Sequence, residues 1–185
     1  MSKVAVFLAP GFEEMEALAP VDLLRRADFE VDLIGLEEYV TGSHGITVKA
    51  DKMISEDLTN YDLMVIPGGQ PGATNLRNDE RVIKALKTNY DKGNKVAAIC
   101  AGPIVLDKAG ILTDKEYISF PGTEDEIKTG HRLDEAITVK DGNVLTARGA
   151  GAAYEFGLAL VDWLGGDAEA LSEDIQYKNV IESYQ

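Results

Sequence analysis

The chain has few cysteine and histidine residues: one cysteine, Cys100, and two histidines among 185 residues. A single cysteine excludes a disulfide within the chain, which is consistent with a reducing cytoplasm. The two histidines, His44 and His131, are far apart in the sequence, so no zinc-type ligand cluster is visible. We therefore predict neither a metal nor an organic cofactor.

Positive charge is also scarce. Lysine and arginine total 18 against 32 acidic residues, which gives a formal net charge of -14. This charge argues against sequence-independent binding of nucleic acid and against attraction to anionic membranes. The first apolar run ends at Pro10 and Gly11, too early for a signal peptide or a membrane span. We predict a cytoplasmic protein without nucleic-acid or membrane partners.

What the sequence does contain is an alternation of strand and helix patterns along one predicted domain, residues 1–185. Such alternation is typical of an α/β fold with a mostly parallel sheet. Asp141-Gly142 between two apolar runs predicts one hairpin. The predicted strands are 3–8, 31–36, 63–66, 95–99, 117–120, 137–140 and 143–146, and the predicted helices are 13–27, 79–90 and 154–164, followed by a polar terminal helix or tail.

Cys100 directly follows the predicted strand 95–99 and precedes a helix that Pro103 is suited to begin. Residues at such a corner project from the carboxyl end of the sheet, where α/β proteins bind ligands. The partial positive charge of a helix N-terminus favours a thiolate, so we expect the pKa of Cys100 to lie below the free value of about 8.5. The alternative is a small apolar residue that fills the core.

Glu16 lies in a predicted helix that contains Pro20, which cannot donate a hydrogen bond to the Glu16 carbonyl. We therefore expect the helix to be kinked or loosened where Glu16 emerges. Glu16 is either a solvated carboxylate of the first turn or a carboxyl group in a crevice shared with Cys100. In an apolar crevice it would stay partly protonated. In that case, replacing Glu16 with glutamine is expected to raise the pKa of Cys100 or change its oxidation product.

Four segments occur together in an order that resembles the ThiJ/PfpI superfamily, in its DJ-one branch. The resemblance covers residues 3–164 and implies a flavodoxin-like three-layer α/β/α sandwich with a cysteine nucleophile elbow, as in class I glutamine amidotransferases. It also implies a homodimer whose contact includes the first helix. The four segments are GFEEMEA at 11–17, PGG at 67–69, AAICAGP at 97–103 and TARG at 146–149.

The resemblance also implies the site residues. Cys100 would be the nucleophile and Glu16 its paired carboxylic acid. Gly68, Gly69 and Ala101 would form the oxyanion or substrate-binding part, with backbone N–H donors from Gly69 and Ala101. Arg148 is either an ordinary surface or interface ion-pair residue or an anion-binding group at the pocket rim.

The chain departs from the family pattern at both histidine positions. The residue after the cysteine, histidine in the protease-like branch, is Ala101. The position before a proline where many DJ-one members carry histidine is Phe120, which can neither accept nor donate a proton. His44 and His131 are expected in a turn and a surface loop. A Cys–His dyad for peptide hydrolysis is therefore not predicted.

Two functions remain open. The first is a glyoxalase III-like lyase or hydrolase in stress protection that acts on small reactive carbonyls such as methylglyoxal, by glutathione-independent glyoxalase or deglycase chemistry. The second is a non-enzymatic redox-sensing or chaperone-like stress protein with an oxidisable Cys100. A glutamine amidotransferase would need histidine and glutamate two residues apart late in the chain, whereas His131 is followed by Arg132 and Leu133.

Overall fold

The computed structural model describes residues 2–184, which form a seven-stranded central sheet, two two-stranded sheets and seven α-helices. The strands are β1 (Lys3–Leu8), β2 (Glu30–Gly35), β3 (Tyr39–Thr41), β4 (Thr47–Lys49), β5 (Lys52–Met53), β6 (Leu63–Ile66), β7 (Lys95–Ile99), β8 (Glu116–Tyr117), β9 (His131–Arg132), β10 (Thr138–Asp141) and β11 (Val144–Ala147). The helices are α1 (Glu14–Arg26), α2 (Gly72–Asn78), α3 (Glu80–Asp91), α4 (Pro103–Lys108), α5 (Ala153–Trp163), α6 (Ala168–Asp174) and α7 (Tyr177–Glu182).

The central sheet has the order β10-β11-β7-β6-β1-β2-β5, and only β10 runs antiparallel to its neighbour. In chain order, the five main parallel strands follow the sequence 2-1-3-4-5, which is the flavodoxin-like order. The predicted fold class is therefore confirmed. Ligands of such sheets bind beyond the carboxyl ends of the strands where the winding direction reverses, here between β1 and β6.

Both faces of the sheet are apolar because helices cover each of them. Alternate residues of β1 point to opposite faces. Val4 and Val6 belong to a core cluster with residues of α1, α5 and α6. Ala5 and Phe7 belong to a second cluster with residues of α2, α3 and α4. These two clusters hold the carboxyl ends of β1, β6 and β7 side by side, which is where the candidate site lies.

The structure corrects two details of the sequence prediction. The predicted strand 117–120 is wrong beyond its first residue, because only Glu116 and Tyr117 form β8, which pairs with β9. Phe120 instead donates its N–H to the Cys100 carbonyl at 2.9 Å. The short α2, the β3–β4 hairpin and β5 were not predicted. The predicted Asp141-Gly142 hairpin is confirmed as the antiparallel pair β10–β11.

Helix α1 continues through Pro20 without a break in its helical residues. Helix α5 packs closely at this point: a side chain at Gly157 would lie 3.1 Å from the Pro20 α-carbon and 2.5 Å from Leu23. The tertiary contact therefore supports the helix where the proline removes a backbone hydrogen bond. Within residues 2–184, every helix is too short or too polar to cross a bilayer.

Candidate active site

Cys100 occupies a sharp corner directly after β7. Its φ is +63°, a left-handed conformation that is uncommon for residues other than glycine. Its N–H donates to the Ala147 carbonyl at 2.9 Å, and its own carbonyl accepts the N–H of Phe120 at 2.9 Å. The side chain is half-buried. Two hydrogen bonds therefore hold a strained backbone at the sheet edge, a combination often found at functional positions.

Glu16 is fully buried in the first turn of α1. Its Oε2 accepts the Gly68 N–H at 2.8 Å. Its Oε1 is buried and accepts no hydrogen bond from another described residue. The preceding Glu13 caps the helix by accepting the Glu16 N–H at 2.9 Å. Hydrogen bonds thus hold both the backbone and the side chain of Glu16 in place. Within residues 2–184, its Oε1 remains without a hydrogen bond.

Gly68 brings the acid and the cysteine together. A β-carbon at this position would lie 2.6 Å from Glu16 Oε2, 2.7 Å from Cys100 Cβ and 2.8 Å from the Ala101 nitrogen. All three distances are shorter than real contacts, so only glycine fits here. The N–H of Gly68 already serves Glu16. Its position therefore suits it to orienting the acid more than to contacting a substrate.

Two other backbone N–H groups, those of Ala101 and Gly69, lower the pKa of the Cys100 thiol and so favour its ionised form. Gly69 has a φ of +83°, and a side chain on it would collide with the Glu13 nitrogen at 2.3 Å. Rigid donors of this kind can stabilise negative charge on sulfur or on a neighbouring oxygen. The structure thus places the predicted donors at Cys100.

The Glu16 carboxyl and the Cys100 thiol both have raised pKa values. Burial raises the pKa of the Glu16 carboxyl to about 7, although the Cys100 side chain and the Gly68 N–H lower it. Burial also raises the pKa of the Cys100 thiol, and the negative charge of Glu16 raises it further. These two effects outweigh the N–H donors of Ala101 and Gly69.

The predicted lowering of the Cys100 pKa is therefore wrong. Helix α4 has only six residues and begins at Pro103, three positions after Cys100. The expected partly protonated state of Glu16 is confirmed, because the pKa of this buried carboxyl is about 7. At neutral pH the pair therefore contains a thiol beside a carboxyl group that is close to half ionised.

Arg148 lies at the rim, where its backbone N–H donates to the Ile137 carbonyl at 3.0 Å. Its guanidinium donates to the carbonyl oxygen of Asp134. With Phe120, it lines an open groove whose lining includes neither Cys100 nor Glu16. The Arg148 guanidinium therefore binds a backbone carbonyl. Among the described residues, it does not form the ion pair with an acidic side chain that was one of the two alternatives from the sequence.

Both histidines have other neighbours. His44 lies in the loop between β3 and β4, is 71% exposed in its side chain and contacts Glu14 through Nδ1 at 3.0 Å. His131 is exposed, but it lies in the short strand β9 and not in the surface loop that was predicted. Among the described residues, no histidine hydrogen-bonds Cys100, and the family histidine position is occupied by Phe120.

The structure also assembles a group that the sequence did not predict. Ligand atoms of Glu13, Glu14 and His44 all lie within 4.8 Å of one another, a spacing that could hold a metal ion. Glu14 already accepts the His44 N–H at 2.8 Å and the Ile46 N–H at 3.3 Å. Because 30 residues separate Glu14 from His44, no local spacing pattern could have indicated this cluster.

Comparisons with known proteins agree with the geometry. The family model described as "DJ-1/PfpI family" matches residues 2–163. A Danio rerio protein named "Parkinson disease protein 7 homolog" is 38% identical over 170 residues, covering 89% of this chain and 90% of the relative. A protein from Thermococcus kodakarensis, named as a deglycase, is 32% identical over 155 residues, covering 82% and 93%.

The fold is shared with solved structures. The crystal structure of Drosophila melanogaster DJ-1beta superposes with a TM-score of 0.91 at 34% identity, covering 95% of this chain and 98% of that one. Fold, motifs and family model all agree: the chain belongs to the DJ-1/PfpI family.

Proposed function

We propose that the protein is a cysteine-dependent enzyme that converts small 2-oxoaldehydes, such as methylglyoxal, into 2-hydroxy acids without glutathione. One observation carries this proposal: Gly68 holds a buried, half-ionised Glu16 against Cys100. The name of the Thermococcus kodakarensis relative supports carbonyl chemistry in the family. The protein would need no metal or organic cofactor for this reaction.

The first step is addition of Cys100 to the aldehyde. The sulfur forms a bond to the aldehyde carbon while the thiol proton passes to the Glu16 carboxylate. The carbonyl π electrons move to oxygen, where the N–H groups of Gly69 and Ala101 stabilise the negative charge. Protonation of this oxygen by Glu16 gives a neutral hemithioacetal and restores the carboxylate. The high pKa of the thiol makes a nearby base necessary for this step.

The second step is an internal oxidation and reduction. Glu16 removes the proton from the carbon bonded to sulfur and passes it to the ketone oxygen, which gives an enediol. Glu16 then takes the proton of the hydroxyl on the sulfur-bearing carbon and delivers it to the adjacent carbon. The product is a 2-hydroxy thioester, so the former aldehyde carbon is oxidised and the ketone carbon is reduced. Water then cleaves the thioester to release the 2-hydroxy acid and the Cys100 thiol. No external oxidant or reductant is required.

The pKa of Glu16 suits both roles. A group with a pKa of about 7 is present as acid and as base in similar amounts at neutral pH. Such a match is the condition under which proton transfer contributes about 100- to 10,000-fold to a rate. Phe120 cannot take part in proton transfer, so Glu16 would carry every proton in this mechanism.

Incubation with methylglyoxal tests the proposal. We expect substrate loss matched by lactate formation, no turnover with Cys100→Ala, and at least a 100-fold loss with Glu16→Gln. The exposed variant His131→Ala is the matched control and should retain full activity. Lactate formation that persists in Cys100→Ala, or the absence of turnover in the unmodified protein, would contradict the proposal.

The second candidate is a redox-responsive stress protein. The uncommitted, buried Oε1 of Glu16 favours it, because a protonated carboxyl there could donate to an oxygen of oxidised Cys100. Mild peroxide treatment followed by intact-mass measurement tests this function. Two oxygens added stably to Cys100, without turnover of methylglyoxal, would favour the sensor over the enzyme.

We also propose that residues 1–185 act as one domain in a cytoplasmic homodimer. Met15 on α1 is 57% exposed, which supports a contact through the first helix. Sedimentation of the unmodified protein and of Met15→Glu tests this assembly. A monomeric mass for the unmodified protein would exclude it.

A further inference from the structure

Three side chains of the kinds that bind metals converge at the first turn of α1. Glu13 caps this helix, Glu14 is its first residue, and His44 lies in the loop between β3 and β4. One ligand atom from each lies within 4.8 Å of the other two. The proposed reaction uses none of these side chains. The fold thus brings two carboxylates and one imidazole together at a point separate from Cys100.

Each carboxylate uses one oxygen to bind the backbone and has the other near His44. Glu13 accepts the Glu16 N–H with Oε2 at 2.9 Å, and its Oε1 lies 3.8 Å from His44 Nδ1. Glu14 accepts the Ile46 N–H with Oε1 at 3.3 Å, and its Oε2 lies 3.0 Å from the same Nδ1. Hydrogen bonds of this kind orient the ligands of metal sites. The two oxygens nearest the imidazole are therefore held in place before any ion binds.

Glycine at position 42 makes room for the Glu14 carboxyl group. A β-carbon at Gly42 would collide with both Cδ and Oε1 of Glu14. Glu14 is only 4% exposed, whereas the His44 side chain is 71% exposed. The site therefore combines a rigid carboxylate with an imidazole that can rotate to adjust to an ion.

Lysine and arginine do not balance the charge of this cluster. Acidic side chains are common at a helix N-terminus because they complement the helix dipole. That role does not require two of them to meet at one imidazole from another segment. Among the described residues, no lysine or arginine nitrogen lies within 4.0 Å of a Glu13 or Glu14 carboxylate oxygen. Since buried charges are normally paired or bound to a metal, the arrangement favours a bound cation.

The distances and the donor atoms favour zinc. In tetrahedral sites zinc binds nitrogen and oxygen at about 2.0–2.2 Å, which separates neighbouring ligand atoms by roughly 3.4 Å. The separations from His44 Nδ1, 3.0 Å to Glu14 and 3.8 Å to Glu13, lie on either side of this value. An imidazole suits zinc, whereas magnesium and calcium prefer oxygen ligands. With three protein ligands and an exposed imidazole, the fourth position is open to water.

We propose that Glu13, Glu14 and His44 form a zinc site that fastens the β3–β4 loop to the first turn of α1. The ion binds Glu13 Oε1, Glu14 Oε2 and the lone pair of His44 Nδ1, while the proton of the neutral imidazole resides on Nε2. The site is independent of the proposed enzyme reaction, which uses neither these side chains nor a metal. Counting cysteine and histidine did not predict it, because carboxylates supply two of the three ligands.

Zinc binding to the full chain, treated with EDTA and then freed of it, tests the site. We expect one ion per chain by native mass spectrometry and saturable binding of zinc sulfate by isothermal titration calorimetry. Equimolar magnesium should not compete. His44→Ala should weaken zinc binding by at least about 100-fold, because removal of a direct ligand should exceed the 10- to 100-fold effect of outer residues. Glu14→Gln should weaken it similarly, so a folding defect in one variant leaves the other informative.

Two controls exclude other zinc ligands. His131→Ala removes the other histidine, which is also exposed, and Cys100→Ala removes the thiol, which zinc could otherwise bind. Both variants should bind zinc as the unmodified protein does. Loss of binding in either control, equal binding in His44→Ala, displacement of zinc by equimolar magnesium, or no binding to the unmodified protein would overturn the proposal.

Thermal unfolding measures the fastening of the loop. Zinc should raise the unfolding midpoint of the unmodified protein and of Cys100→Ala, but not that of His44→Ala. A midpoint that zinc leaves unchanged in the unmodified protein would contradict the fastening. Methylglyoxal turnover separates this proposal from the enzyme: zinc binding without turnover would contradict the proposed function alone, and turnover without zinc binding would contradict the zinc site alone.

Discussion

The Oε2 atom of Glu16 accepts the N–H of Gly68 at 2.8 Å. Gly68, which lies between Glu16 and Cys100, therefore also orients the Glu16 carboxyl group. This bond favours the ionised carboxyl, whereas burial disfavours it more strongly. The balance leaves the pKa of Glu16 at about 7, inside the range in which most proteins are assayed. The behaviour of the site should therefore change with pH around neutrality.

Replacing Glu16 with glutamine should lower the pKa of Cys100. The charge of Glu16 raises the pKa of the thiol, and glutamine removes this charge while the N–H donors of Ala101 and Gly69 stay in place. This direction is opposite to the expectation from the sequence. Thiolate absorbance across a pH titration measures it, since Cys100 is the single cysteine. An unchanged or higher pKa in Glu16→Gln would show that the carboxylate does not act on the sulfur.

Glu16 should also make folding stability depend on pH. Its pKa rises from 4.5 to about 7 on folding, so the contribution is fully present below pH 4.5 and is lost as pH rises toward 7. The loss amounts to roughly 3 kcal/mol, at about 1.4 kcal/mol per pKa unit. Urea unfolding at about pH 4.5 and about pH 7.5 measures it, and Glu16→Gln is the reference that lacks the titration. Equal pH dependence in both proteins would rule out a raised Glu16 pKa.

Gly68→Ala should be destabilising and should disrupt the site. The new β-carbon would lie within 2.8 Å of atoms of Glu16, Cys100 and Ala101, so the local structure must shift to accept it. Overpacking of this kind costs about 1–3 kcal/mol. Gly151→Ala is the matched control, because a β-carbon there meets no atom within 4 Å. Chemical denaturation and Cys100 alkylation rates are the measurements; similar results for both variants would contradict the close approach at Gly68.

Asp32 should contribute stability that is lost in acid. Burial opposes its ionisation, but hydrogen bonds from Tyr61 at 2.6 Å and Lys52 at 2.9 Å outweigh burial and lower the pKa of Asp32. Its contribution is present above pH 3.8, the unfolded value, and is lost as pH falls through the lower folded pKa. Asp32→Asn should cost about 1–3 kcal/mol at neutral pH.

Asp22→Asn is the control for this charge change, because its partner Arg26 is four residues away on the exposed surface of α1. Such pairs contribute about 0.5 kcal/mol. Urea unfolding at neutral pH and at about pH 3 should show that the difference between the unmodified protein and Asp32→Asn narrows in acid. If the difference in unfolding free energy between the two proteins did not depend on pH, the effect of Asp32→Asn would come from packing and not from the charge of Asp32.

Much of the fold was predictable because it rests on local patterns. The apolar strands and the helices between them determine the order of elements, and the segments around Glu16 and Cys100 place both at the same sheet edge. The pKa of Cys100 was not predictable, since its direction depends on how deeply the sulfur is buried and on the Glu16 charge beside it. The early end of β8 was also missed, because the Phe120 N–H bonds to Cys100 rather than to a strand. Contacts between distant segments decide both properties.

Glu16 and Gly68 are joined by a hydrogen bond across 52 positions, and Cys100 comes 32 positions later still. While the chain is being synthesised, the acid therefore has neither of these partners until β6 and then β7 have left the ribosome. A nascent chain that ends before Gly68 would hold an ordinary solvated glutamate. The pair of Glu16 and Cys100 can form only after β7, the fourth of the five main parallel strands, has been synthesised.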